Sequence, residues 1–135
     1  MCGWHNDIGH WQKALTEAGA QVVAYDDQSD PALTSSRENV GVVAKGNEES
    51  LDAHPAHTLL LCYPPRGPMA ERCLARYKGT HLLYVGEGSG GFNADPAFFA
   101  ALTKNWRCVH IEKVEPFPGG VEHLYVFERK KASWF

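Results

Sequence analysis

The chain has 135 residues and a mass of 14.9 kDa, enough for one hydrophobic core and too little for a separate cofactor domain. It is 44% hydrophobic and 21% charged, which excludes a disordered chain. Thirteen basic residues against sixteen acidic ones leave a net charge of −3, which disfavours binding to nucleic acid through phosphate neutralisation.

No apolar run approaches the ~18–20 residues of a membrane span. The stretch MCGWHNDIGHW carries neither a basic leader nor an apolar signal core. Cys2, Cys62, Cys73 and Cys108 sit in a domain large enough to need no disulfide staple, so reduced thiols in a cytoplasmic protein are expected. Cys2-x-x-His5 with His10 has no second tight pair to close a tetrahedral zinc site, and no metal is expected.

In chain order, residues 9–18 place Trp11, Leu15 and Ala18 at helical spacing, with Ala14 on the same face. Asp7 can cap the start of this helix, and Gly19 fits its stop. A strand follows over 21–26 and ends in Asp26-Asp27. Residues 28–39 are polar, carry Pro31 and read as a loop. A weaker strand spans 40–44, and Glu48 to Ala53 forms a short helix stopped before Pro55.

Thr58 to Tyr63 is a continuous apolar run, the pattern of a strand buried on both faces. Pro64-Pro65 ends it. Pro68 suits the first turn of a helix running to about Tyr77. His81 to Val85 is another buried strand, followed by the glycine-rich GEGSGG. Asp95-Pro96 reads as N-cap and first helical residue of a helix running to about Trp106. Residues 107–115 and 121–129 form two strands joined by a connector short enough for an antiparallel hairpin. Alternating helices and doubly buried strands predict a single α/β domain over 1–135, with a mostly parallel sheet and a closing antiparallel hairpin.

Ligands on such sheets sit beyond the carboxyl ends of the strands. Attention therefore falls on Asp26, on Lys45 to Asn47, on Tyr63 to Arg66 and on Gly86 to Gly91. A carboxylate such as Asp26 can accept two hydrogen bonds from a ribose diol, although strand-end acids are also common solvated loop residues. Two consecutive prolines fix the backbone at Tyr63-Pro64-Pro65, where a rigid corner could offer carbonyls to an amine; the alternative is a plain strand terminator.

Gly86-x-Gly88-x-x-Gly91 matches the dinucleotide fingerprint in spacing, but Phe92-Asn93-Ala94 separate it from the helix start. Asp95 also puts negative charge where a phosphate would bind, so a glycine loop at the sheet edge is the plainer reading. Among the seven histidines none is paired at i, i+4 in the zinc-hydrolase manner.

With these residues in hand, the chain resembles the class I S-adenosylmethionine-dependent methyltransferases over about residues 9–129. The resemblance rests on GHWQKALTEAGAQVVAYD, TLLLCYPPRGPMA, LLYVGEGSGGFNADPAFFAAL and the closing hairpin. It implies a three-layer, Rossmann-like α/β fold. It implies that Asp26 binds the cofactor ribose, that Gly46 and Asn47 touch the adenine, and that Gly9 is the last glycine of the methionine-binding loop. It implies that the Tyr63-Pro64-Pro65 corner faces the methyl group and a small-molecule acceptor.

The chain departs from the family at two places. Tyr63 stands where amine methyltransferases carry Asn or Asp, and Arg66 where they carry an aromatic residue. At the front, His5 and Asp7 fall where further glycines are expected, and Met1 to Trp4 is short for the central first strand.

A sheet without that strand has a gap beside the strand at 58–63. Its flanking strands close on each other, another chain completes it in a homo-oligomer, or the sequence is a piece of a longer protein. The reading is therefore an N-terminally abbreviated, methyltransferase-like domain using S-adenosylmethionine. The alternative is a non-catalytic methyltransferase-like module that works by protein association, and a nucleotide binder using Gly86 to Gly91 ranks below both.

Overall fold

A computed structural model of the chain describes residues 10–26, 43–114 and 121–131. The first helix, α1 (His10–Glu17), turns Trp11 and Leu15 inward while Ala14 and Ala18 stay exposed. It closes on Gly19, whose φ of +97° suits glycine; Gly19 N–H donates to Thr16 O and Ala20 N–H to Leu15 O. Asp7, the expected cap, lies outside the described residues.

Strand β1 (Ala24–Asp26) pairs in parallel with β2 (Val43–Lys45), Asp26 standing opposite Lys45. Only the second half of the expected 21–26 strand is paired, because its partner offers three residues. Glu48–Ala53 is a 3₁₀ helix. Asn47 caps it: its Oδ1 accepts from Glu49 N–H at 3.0 Å, and its own N–H donates to Ser50 Oγ at 3.2 Å.

Strand β3 (Leu59–Cys62) pairs in parallel with β4 (His81–Gly86). Helix α2 (Met69–Arg76) runs between them in sequence and buries Ala70, Cys73 and Leu74. Helix α3 (Pro96–Asn105) is capped by Asp95, whose carboxylate accepts from Phe98 N–H at 3.0 Å, as the Asp-Pro pair predicts. Strands β5 (Trp106–Lys113) and β6 (His123–Arg129) form the expected antiparallel hairpin, with an irregularity between Cys108 and His110.

Two sheets result. One is β1-β2; the other has the order β3-β4-β6-β5. The architecture is α/β, and the larger sheet is mixed: β3, β4 and β5 run the same way and β6, of the closing hairpin, runs against them. Strand β6 inserts between β4 and β5, so both of its pairings are antiparallel. Among the described residues β1 and β3 do not pair, so direct closure of the flanking strands is not seen.

Alternation along β3 and β4 gives each face of the larger sheet its own cluster. Leu59, Leu61, Leu82 and Tyr84 pack with Phe98 and Leu102 of α3 and with the buried side of α2. On the opposite face Cys62 and Val85 pack with Trp11 of α1. Arg129 pins the far edge: it donates to Gly79 O and Tyr77 O, at 2.9 and 2.7 Å, and lies over the Trp106 ring. No helix among the described residues is long and apolar enough to cross a membrane.

Candidate functional site

The residues just before β1 and the first residues of β3 line one shared cavity. Both strands therefore start at the same side of the fold. Asp26 ends β1, and Tyr63 directly follows β3. Gly86, at the end of β4, lies beside Tyr63, because β4 runs parallel to β3.

Asp26 is buried at 6% exposure, unlike a solvated loop acid. Its carbonyl accepts from Gly46 N–H at 2.9 Å, which joins the ends of β1 and β2. Gly46 has a packing reason to be glycine. A Cβ there would lie 2.4 Å from Ser50 Oγ and 2.6 Å from a Tyr25 ring carbon. Asn47 spends its carbonyl and its backbone N–H on the 3₁₀ cap. Gly9 lies outside the described residues.

The Tyr63-Pro64-Pro65 corner is bent sharply. Tyr63 has a φ of +46°, uncommon for a bulky residue. The following proline disfavours the ordinary α region for Tyr63, and a bond from Tyr63 N–H to Val85 O at 2.7 Å holds the turn. Among the described residues, Ala94 is the other non-glycine residue at positive φ, 60°. The two strained residues belong to one assembly: Ala94 N–H donates to Pro65 O at 3.2 Å, and Arg66 bridges Ala94. Backbone held in such regions costs of order 1–3 kcal/mol per residue and clusters at functional sites.

Asn93 is the latch, and sequence reasoning missed it. Its Nδ2 donates to Pro64 O at 3.0 Å and its Oδ1 accepts from Glu87 N–H at 2.9 Å, all while buried. The available signal was an Asn two residues before the Asp95-Pro96 cap, just after a glycine-rich loop.

The GEGSGG loop is thereby tied down. The Glu87 carboxylate accepts from Phe92 N–H at 2.8 Å, the Tyr84 hydroxyl donates to Glu87 O, and Arg66 covers the Phe92 ring at 4.9 Å. Burial, then the nearby Tyr125 and Glu87, push the Tyr84 phenol well above its usual range. The dinucleotide reading gains nothing, because Asp95 already occupies the first turn of α3.

The carbonyls of Pro64 and Pro65, offered above to an amine, are engaged by Asn93 and Ala94. The corner is therefore a rigid wall more than a free acceptor. Among the described residues no cluster of three metal-ligating side chains occurs. Comparison with protein families, with curated proteins and with solved structures yields no match.

Proposed function

We propose that the chain is a small S-adenosylmethionine-dependent, methyltransferase-like domain acting on a small-molecule acceptor. The observations that carry this reading are a buried carboxylate, Asp26, at the end of β1 and a strained proline corner at Tyr63, directly after β3. The cofactor, when bound, supplies a methyl group on an electrophilic sulfonium.

The chain's part is to bind and orient, which suits catalysis by proximity. Asp26 suits the ribose, since a carboxylate accepts from both hydroxyls of a diol. Gly46 contributes backbone beside it, and Asn47 the part of its amide that the cap leaves over. Tyr63, Pro64 and Pro65 form the acceptor wall, held by Asn93.

A second reading has its own support. The internal engagement of the proline carbonyls and of Asn47 suits a non-catalytic module that works by association. Edge strand β5, with Val109 and Ile111 about half exposed at 45% and 56%, is the surface a homo-oligomer would use.

Calorimetric titration with S-adenosylhomocysteine separates the two. The first reading expects saturable binding, weakened about tenfold or more in Asp26→Asn, with thermal melts confirming that the variant is folded. Absence of binding at millimolar ligand overturns it.

A further inference from the structure

Strand β5 forms one edge of the larger sheet. Among the described residues it pairs with β6 alone, and seven of its eight residues are exposed. A long exposed edge offers a row of backbone N–H and C=O groups to another strand. Val109 and Ile111 add apolar surface there.

The irregularity in β5 decides which side chains share a face. Arg107 and Glu112 are five residues apart, so plain alternation would put them on opposite faces. The register against β6 slips by one residue between Cys108 and His110. Arg107 therefore stands opposite Glu128 and Glu112 opposite Leu124, two positions on the same face of β6. By the same reasoning Trp106, Cys108, Ile111 and Lys113 share the other face, opposite Arg129, Phe127, Tyr125 and His123.

We propose that β5 pairs antiparallel with β5 of a second copy of this chain, about a two-fold axis between Val109 and His110. The two four-stranded sheets then become one. Overlap of all eight residues sets Arg107 opposite the partner's Glu112, Cys108 opposite the partner's Ile111, and Trp106 opposite the partner's Lys113. Each pair lies on a common face, and the slip in register is what allows it.

The two-fold makes every contact twice. Opposite charges and apolar groups facing each other across strands both stabilise a sheet. A parallel, in-register pairing would set Arg107 against Arg107 and Glu112 against Glu112, so charge selects the antiparallel arrangement. Charges on an edge ordinarily guard it against pairing, but here the two-fold makes them complementary.

Both charges are accessible. Arg107 spends Nη2 on Glu128 at 3.0 Å and Glu112 meets His110 at 3.3 Å, with side chains 69% and 67% exposed. A guanidinium has five N–H donors, so Arg107 can serve Glu128 and a second carboxylate. The proposal deepens the association reading given above and rests on it; it uses no residue of the Asp26 site or the proline corner.

The test uses the full chain. Sedimentation equilibrium should report twice 14.9 kDa. Arg107→Glu and Glu112→Arg should each weaken the dimer about tenfold or more, and the two together should restore it. Thermal melts check that each variant is folded. With oxidised glutathione, Ile111→Cys should give a covalent dimer that disappears when Cys108→Ser is added. Glu112→Cys, on the other face, should give none. A dimer indifferent to the charge reversals, or linked through Glu112→Cys instead, overturns this pairing and leaves association by another surface standing. A monomer at millimolar chain overturns both.

Discussion

Single side chains decide how firmly the candidate site is held. Asn93 makes two hydrogen bonds, one to the proline corner at Pro64 O and one to the glycine loop at Glu87 N–H. Removing it leaves Pro64 O and Glu87 N–H without that partner. Asn93→Ala should therefore cost about 1–3 kcal/mol in urea unfolding. A change under a few tenths would mean that water replaces the side chain.

Tyr84 gives a pH test. Its folded pKa is raised, so below the usual phenol value of about 10 both folded and unfolded forms keep the proton. Above it the unfolded chain ionises first, and the contribution to stability falls as pH rises. The urea midpoint should drop as pH rises past about 10. The drop should be shallower in Tyr84→Phe, with Tyr125, raised chiefly by burial, supplying part of what remains. Identical slopes in the two proteins would sink this account.

At the scale of elements, the core under α2 and α3 carries the stability. Phe98 is fully buried against Tyr84 and Phe99. Phe98→Ala should cost about 3–5 kcal/mol by chemical denaturation. Arg107→Ala is the matched control, because its ion pair with Glu128 at 3.0 Å is solvent-exposed and worth no more than about 1 kcal/mol.

The elements were largely legible because their local chemistry is explicit. The Asp95-Pro96 cap, the Gly19 stop and the apolar run at 58–63 each appear where the sequence puts them. What was not legible is tertiary. The short Glu48–Ala53 helix is 3₁₀, and β1 shrinks to the length of its partner. The insertion of β6 between β4 and β5 depends on pairing distant in sequence, which no local pattern records.

For the whole molecule, the strands fall into two sheets, a cavity is lined by residues of both, and the strained proline corner follows the end of β3. The sequence nominated Asp26, Gly46, Asn47 and Tyr63 to Pro65 by their places after strands, and that is where they stand. It missed Asn93 and the engagement of the proline carbonyls, because a hydrogen bond across 29 positions leaves no periodic mark.

The most direct test of the central claim is a residue-resolved titration of the ¹⁵N-labelled chain with S-adenosylhomocysteine. The account predicts saturable amide shifts grouped at Asp26, Gly46, Asn47 and Tyr63. Silence at those amides at millimolar ligand, or shifts confined to Val22–Val23 and Thr58–Leu60, would contradict it.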